Sequence, residues 1–208
     1  MQIIGLTGSI ATGKSTVADM CRRLRLPVHD ADGCVHRLLG PGGAAVVPVA
    51  AEFGLQPDAN GAIDRAALGK KVFQDPPARR RLEAILHPLV SADRDRFLAR
   101  QRRRRARLVV LDVPLLFETG GDAFCDFVIC VWAPLRVQKK RALSRPAMTG
   151  EKLAGILKAQ IPQETKKRLA DLALPSALGY AETNRRLRRW LARLRHPEKH
   201  PEKHPEDL

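Results

Sequence analysis

Aromatic side chains are scarce in this chain of 208 residues, where phenylalanine, tryptophan and tyrosine make up 4%. The formal net charge is +15, which predicts a polyanionic partner: nucleic acid, an anionic membrane surface or a small phosphorylated substrate. Proteins that bind single-stranded nucleic acids stack bases on aromatic side chains, and the densest arginine run, residues 100–107, contains no aromatic residue. The composition therefore argues against nucleic acid, although charge alone does not choose among the three partners.

Long apolar runs and paired cysteine motifs are missing as well. No uncharged apolar segment is long enough to span a bilayer, and a β-prone segment begins at once, so we expect a soluble, cytoplasmic protein. Cys21, Cys34, Cys125 and Cys130 show no C-x-x-C spacing, and we expect all four to be reduced. The length and the 44% hydrophobic content fit one α/β domain with appendages.

Residues 8–15, Gly-Ser-Ile-Ala-Thr-Gly-Lys-Ser, match the pattern G-x-x-x-x-G-K-[ST] at every required position. An apolar β-prone run precedes them and a helical apolar pattern follows, which is the order that presents helix N–H groups to phosphate oxygens. Lys14 can place a charge near the β- and γ-phosphates, and the Ser15 hydroxyl can ligate Mg²⁺. We predict that ATP is held by Gly8, Ser9, Ile10, Ala11, Thr12, Gly13, Lys14, Ser15 and Thr16.

A short predicted strand at residues 26–29 runs into two acids, Asp30 and Asp32. In open α/β sheets, ligands bind at the carboxyl ends of the strands, and a carboxylate there can accept the proton of an attacking hydroxyl. The alternative is that these acids cap the next helix, as Asp residues often do. Position after the strand favours a catalytic role for one of the two.

Residues 33–105 contain glycine and proline clusters between helical patterns and no clear strand. This is longer than a simple crossover needs, so we predict a helical insertion that binds a second substrate. His87-Pro88 is expected to end a helix, which makes His87 either a C-cap or a weak site candidate. Further strands are predicted at 108–112, 127–132 and, weakly, 171–174, with a final helix at 184–195.

A helix is predicted at 135–144, stopped by Arg145-Pro146, which places Arg141 and Arg145 one turn apart on one face, and Thr149 is expected to begin a second helix. Such a pair, spanning 135–165, can act as a lid whose guanidinium groups stabilise a transferring phosphoryl group. The alternative is a basic helix that faces solvent. Asp112, at the end of the strand at 108–112, can hold Mg²⁺ indirectly. The His-Pro-Glu-Lys repeats at 196–208 predict a disordered tail after a single domain, 1–195.

Taken in order, these motifs resemble the dephospho-coenzyme A kinase family over nearly all of residues 2–195. The segments that carry the resemblance are the phosphate loop, Asp30-Ala31-Asp32, His87-Pro88, Pro114-Leu115-Leu116-Phe117-Glu118, and Gln138 with Arg141 and Arg145. It implies an α/β P-loop NTPase fold: a five-stranded parallel sheet flanked by helices, with a helical acceptor-binding insertion and a helical lid. The implied reaction transfers the γ-phosphoryl of ATP, with Mg²⁺, to the ribose 3′-hydroxyl of dephospho-coenzyme A, the last step of coenzyme A synthesis.

The resemblance also implies roles for individual residues. Asp32 would be the catalytic base, Arg145 with Arg141 the lid arginines, and Lys14 a phosphate ligand. The acceptor would be bound by His87, Leu115, Leu116 and Glu118. Ser9 and Ala11 stand where the family often has glycine, and residues 175–177 depart from its usual turn beside the adenine, so adenine contacts there are not assigned.

Two other functions stay open from the sequence. One is another small-molecule kinase, such as a nucleoside monophosphate kinase, against which the segment at 114–118 argues. The other is a basic nucleic-acid-binding P-loop protein. A regulatory GTPase is disfavoured because no Asn-Lys-x-Asp guanine-reading segment occurs in the chain. The expected partners are therefore ATP and dephospho-coenzyme A, with neither nucleic acid nor membrane, and the sequence does not predict the oligomeric state.

Overall fold

The computed structural model describes residues 1–73, 75–146 and 148–195. Its centre is a parallel sheet of five strands in the order β2-β3-β1-β4-β5. The strands are β1 (Gln2–Thr7), β2 (Val28–Asp30), β3 (Leu108–Asp112), β4 (Phe127–Trp132) and β5 (Leu172–Pro175). In the register, Ile4 of β1 lies opposite Phe127, and Ile129 lies opposite Leu172 of β5. The predicted five-stranded parallel sheet is confirmed.

Helices connect and flank these strands, which is how parallel strands are joined. They are α1 (Lys14–Arg23), α2 (Ala31–Leu39), α3 (Val46–Phe53), α4 (Arg65–Phe73), α5 (Pro76–Arg103), α6 (Leu135–Leu143), α7 (Gly150–Ala159), α8 (Gln163–Leu169) and α9 (Tyr180–Arg195). One turn of 3₁₀ helix, Gly121–Phe124, precedes β4. Among the described residues, no helix combines the length and apolar character that crossing a bilayer requires. The predicted tail, 196–208, lies outside the described residues.

The chain divides into two compact units. One consists of Gln2–Val28 together with the chain from Val110 onward. Its strands β1 and β4 are rich in isoleucine and valine, which suit a sheet buried on both faces, and residues 110–112 of β3 are buried. The predicted apolar faces of its first and last helices are confirmed: Val17, Met20 and Cys21 are buried in α1, and Leu187 and Leu191 in α9.

The other unit comprises Met1 and His29–Val109 and holds the helices α2 to α5. No strand lies between α2 and α5 in its described residues, so the predicted helical character of this stretch is confirmed. Apolar side chains from all four helices and their loops form one core: Leu39, Ala45, Val46, Val49, Phe53, Ile63, Leu68, Ala78 and Leu86. This unit therefore has a hydrophobic core of its own.

The helix α5 differs from the sequence-based expectation. The prediction that a helix ends at His87-Pro88 is wrong, because α5 runs without a break from Pro76 to Arg103 with Pro88 inside it. A proline in a helix removes one backbone hydrogen bond and crowds the carbonyl four residues earlier. Here the helix is buried on both sides of the proline, at Leu86 and at Phe97, so packing compensates for the lost bond. His87 is consequently an exposed mid-helix residue and not a C-cap.

Candidate active site at the phosphate loop

The phosphate loop joins β1 to α1, and its two required glycines have separate structural reasons. Gly13 has φ 94°, the left-handed conformation that favours glycine, and α1 begins at the next residue, Lys14. A Cβ on Gly8 would lie 2.6 Å from the Val131 carbonyl oxygen, which is too close for any side chain. The loop can therefore pass tightly against β4, and the first N–H groups of α1 follow directly after it.

Side chains inside the loop fix its conformation. The Thr12 hydroxyl donates a hydrogen bond to the Ser9 carbonyl oxygen at 2.8 Å, and both residues are buried. From outside the loop, the Ser176 hydroxyl donates to the Thr12 carbonyl oxygen at 2.5 Å. Ala11 has φ 58° although it is not glycine. Hydrogen bonds thus connect the ends of the segment 9–12 to each other and to the turn that follows β5.

Lys14, the first residue of α1, is paired with the acid at the end of β3. Its Nζ lies 2.5 Å from Asp112 Oδ1, and the side chains are 14% and 6% exposed. A buried pair of this kind holds the ammonium group in one place at the loop. Asp112 also contributes, after burial itself, to raising the pKa of the Cys21 thiol to about 12. The sequence identified both residues, but it did not predict that they would pair.

The two predicted lid helices are present as α6 and α7. Thr149 is the N-cap of α7, and its side chain accepts from the Lys152 backbone N–H at 3.2 Å, as expected for a helix start. Arg141 of α6 donates to the Ser176 hydroxyl at 2.8 Å and to the Ser176 carbonyl oxygen at 3.2 Å. Arg145 follows the end of α6 and is exposed. The structure thus holds Arg141 beside the phosphate loop through Ser176, which no sequence pattern indicated.

The segment after β3, which was predicted to bind the acceptor, gives each residue a different environment. Leu115 is 41% exposed, whereas Leu116 is 1% exposed and lies against Gly5, where a Cβ would come within 2.6 Å of Leu116 Cδ2. Glu118 Oε1 lies 2.7 Å from Lys166 Nζ, whose side chain is 0% exposed. Lys166 was missed because in the sequence it is one cation in the basic run of α8.

In the helical unit, the two acids after β2 have different positions. Asp30 is the N-cap of α2, and its Oδ1 accepts the Gly33 backbone N–H at 2.9 Å. Asp32 lies in the first turn of the same helix and is exposed. The capping alternative therefore applies to Asp30, and Asp32 is left as the candidate base.

Three further side chains of this unit converge beside that turn. His29 Nε2 lies 3.0 Å from Asp93 Oδ2, and the Cys34 thiol is hydrogen-bonded to the same carboxylate. Partial burial raises the pKa of the Asp93 carboxyl, but the hydrogen bonds from His29 and Cys34 and the charge of Arg37 outweigh it, so the pKa lies below its ordinary value. Because 64 positions separate Asp93 from His29, sequence reasoning had no local signal for this cluster.

A parallel sheet whose first strand leads through a glycine loop into a helix bearing the lysine and serine defines the class of P-loop nucleotide-binding proteins. The match to a family model is more specific: residues 2–181 match the model of dephospho-CoA kinase. The chain belongs to the dephospho-CoA kinase family.

Individual relatives agree with that family. The chain is 56% identical over 168 residues to a dephospho-CoA kinase of Paramagnetospirillum magneticum, covering 80% of this chain and 78% of that protein. It is 52% identical over 179 residues to one of Mesorhizobium japonicum, covering 86% and 89%. Among solved structures, the Thermus thermophilus protein TT1252 superposes with a TM-score of 0.79 at 34% identity, covering 93% of this chain and 97% of that one.

Proposed function

We propose that this protein transfers the γ-phosphoryl group of ATP to the ribose 3′-hydroxyl of dephospho-coenzyme A. The observation that carries the proposal is the complete phosphate loop, from Gly8 to Ser15, formed at the start of α1 in a chain of this family. Phosphoryl transfer depends mainly on positioning and on stabilising charge at the γ-phosphate. The residues of the loop and of the two lid helices can supply both.

Phosphate binding is the part of the reaction that the loop geometry supports most directly. The free N–H groups in the first turn of α1 and the positive end of its dipole attract the phosphate oxygens. Lys14 adds a full positive charge, and Asp112 holds its ammonium group at the mouth of the loop. When ATP arrives, its phosphates offer the ammonium group a second anionic partner, so Lys14 can contact them without a large movement of the backbone.

The oxygen donors at the loop fit Mg²⁺, which prefers hydroxyl, carboxylate and phosphate oxygens. Ser15 is an exposed residue in the first turn of α1, and the Asp112 carboxylate lies beside the neighbouring residue, Lys14. Ser15 would hold the ion directly and Asp112 through water. An ion held there would supply positive charge against the phosphates of ATP.

Asp32 is proposed as the base that accepts the proton of the ribose hydroxyl. Two observations support this choice over Asp30: the Asp30 carboxylate is engaged in capping α2, and the Asp32 side chain is exposed in the first turn of that helix. A carboxylate that already accepts the helix N–H group is less available to accept a proton from a substrate.

The arginines that follow in the chain are proposed to stabilise the transferring group. Arg145 is exposed just beyond the end of α6, where its guanidinium can donate two hydrogen bonds to phosphoryl oxygens. Arg141 is hydrogen-bonded to Ser176. We therefore propose that it keeps the end of α6 beside the loop, in addition to its predicted catalytic role.

For the acceptor, the proposal retains His87, Leu115, Leu116 and Glu118 with distinct contributions. His87 and Leu115 are exposed and can contact a ligand with their side chains. Leu116 is buried and Glu118 is ion-paired, so these two would act by shaping the segment that carries Leu115.

The direct test measures ADP formation by purified protein with ATP and Mg²⁺ on a panel of acceptors: dephospho-coenzyme A, AMP, CMP and adenosine. We expect turnover on dephospho-coenzyme A to exceed that on each other acceptor by at least about 100-fold, because binding energy from the remote part of a substrate contributes to catalysis. Preference for AMP or CMP would instead indicate a nucleoside monophosphate kinase.

The choice of base is tested by a matched pair of substitutions. Asp32→Asn should lower kcat by about 100-fold or more while leaving ATP binding intact, since general base catalysis contributes roughly 10²–10⁴-fold. Asp30→Asn keeps a side-chain oxygen that can accept the Gly33 N–H, because Asn and Asp cap helices about equally well, so kcat and stability should stay near those of the wild type. If Asp30→Asn were the variant that abolished turnover in a folded protein, the roles of the two acids would be reversed.

A further inference from the structure

The tip of the phosphate loop, at Ile10, has both of its backbone polar groups bound by glutamine side chains from the two lid helices. Gln138 of α6 donates from Nε2 to the Ile10 carbonyl oxygen at 2.8 Å. The Ile10 N–H donates to Oε1 of Gln160, the C-cap residue of α7, at 3.2 Å. The two lid helices thus each hold the same residue of the loop.

The chemistry of the peptide group fixes the orientation of both glutamine side chains. A backbone carbonyl can only accept and a backbone N–H can only donate, so Gln138 must present its NH₂ group and Gln160 its oxygen. The two side chains are therefore not equivalent: one must be a donor and the other an acceptor. Gln138 is 2% exposed and Gln160 is half-buried, which limits competition from water.

Apolar packing joins the loop and the lid at the same place. Ala11 forms one buried cluster with Ala142 and Leu153, from α6 and α7, and Ile10 and Leu157 pack against it. Ala11 has φ 58°, a left-handed conformation that is strained for a residue with a side chain. Its methyl group is buried against both lid helices, so the contact joins the loop to the lid at this residue.

Gln160 also projects from a fixed segment of the chain. The next residue, Ile161, donates its backbone N–H to Glu118 Oε1 at 2.9 Å, and that carboxylate is paired with the buried Lys166. The end of α7 is thereby attached to the segment after β3. Gln160 can therefore hold Ile10 at a defined position relative to the sheet.

We propose that Gln138 and Gln160 are positioning residues for phosphoryl transfer, which together fix Ile10 and so keep the turn at residues 11–13 in its phosphate-binding conformation. The expected effect of the two glutamines on kcat rests on the proposed function. Their expected effect on nucleotide binding does not depend on the acceptor. The chemical class that the positioned site binds is a nucleoside triphosphate. Because the Ile10 N–H donates to Gln160, it is not among the N–H groups that donate to phosphate.

The test replaces each of the two glutamines by methionine. Methionine keeps the length and packing of glutamine but removes the hydrogen bond without adding a charge beside the phosphates. We expect Gln160→Met and Gln138→Met each to bind ATP roughly five-fold more weakly than the wild type, the effect of one hydrogen bond. Isothermal titration with ATP and Mg²⁺, without any acceptor, measures these affinities.

Gln163→Met provides the matched control. Gln163 also bonds a backbone N–H and C=O, those of Ala133, at 3.2 and 3.0 Å, and Ala133 lies outside the loop. Its variant loses two hydrogen bonds, so it should lower the melting temperature at least as much as Gln160→Met does while leaving ATP affinity unchanged. The proposal is overturned if both loop-facing methionine variants bind ATP as the wild type does, or if Gln163→Met weakens ATP binding as much as they do. If the wild type binds ATP but does not phosphorylate dephospho-coenzyme A, the proposed function is refuted. The ATP affinities of the glutamine variants would still test the positioning proposal.

Discussion

Replacing Lys166 by methionine is expected to destabilise the protein strongly, because it leaves the carboxylate of Glu118 without its cation. The Lys166 side chain is 0% exposed and that of Glu118 is 14% exposed. Among the described residues, Glu118 Oε2 has no hydrogen-bond partner, so after the change only the Ile161 N–H would stabilise the buried charge. Breaking such a pair from one side costs about 3–5 kcal/mol.

The same structure predicts that a second substitution restores part of the loss. In the double variant Lys166→Met with Glu118→Gln, no charge remains, and the glutamine oxygen can still accept the Ile161 N–H. Replacing both partners of a buried ion pair is often nearly neutral, so we expect the double variant to recover about 2 kcal/mol or more relative to Lys166→Met.

The assay is thermal unfolding of the wild type, both single variants and the double variant at one pH, analysed as a double-mutant cycle. For a chain of this size, about 2–4 °C per kcal/mol predicts a loss of roughly 10 °C for Lys166→Met. The reasoning is refuted if the single variant loses less than about 2 °C, or if the effects of the two substitutions simply add. A KM for dephospho-coenzyme A that rises in Glu118→Gln without loss of stability would assign Glu118 to the acceptor instead.

Three further predictions concern single positions. Gly8→Ala should weaken ATP binding at least about ten-fold and lower stability by about 2 kcal/mol, because its Cβ would lie 2.6 Å from the Val131 carbonyl oxygen. Titration with ATP and thermal melting measure the two effects. The control is Gly155→Ala, because nothing lies within 4 Å of a Cβ at that position. Of the four thiols, half-buried Cys125 should react first with a disulfide reagent at pH 8. Burial raises the pKa of each of the other three thiols to about 11 or about 12. Mass spectrometry identifies the labelled cysteine, and faster labelling of a buried thiol would contradict this prediction. Asp93→Asn should cost more stability at pH 7 than at pH 3. The pKa of the Asp93 carboxyl is lower in the folded state, so the carboxylate stabilises the fold above its unfolded-state pKa, and this stabilisation disappears as the pH falls through its folded-state pKa. An equal difference in melting temperature between wild type and variant at both pH values would argue against this.

The features that the sequence predicted correctly are encoded locally. The strand β1, the loop glycines and the helix α1 follow one another within the first 23 residues, and each is specified by its own residue types. Helix caps are also encoded locally, because a short polar residue three positions before a free helix N–H group can accept a hydrogen bond from it. Thr149 begins α7 as predicted, and Asp30, for which capping was the alternative, is the N-cap of α2.

The features that the sequence did not predict depend on distant partners or on competing energies. Lys166 resembles any surface lysine until Glu118 is placed against it, and Ser176 has no motif that links it to Thr12, which is 164 positions away. Pro88 was misjudged for a different reason. Its cost to the helix is local, but the burial of α5 at Leu86 and Phe97 that offsets this cost comes from tertiary packing.

The most direct test of the central claim is ³¹P NMR of the products formed when the purified protein is incubated with ATP, Mg²⁺ and dephospho-coenzyme A. The account predicts ADP and one new phosphomonoester, attached at the ribose 3′ position, in equal amounts. Release of free phosphate without that ester, or an ester at another position of the acceptor, would contradict it.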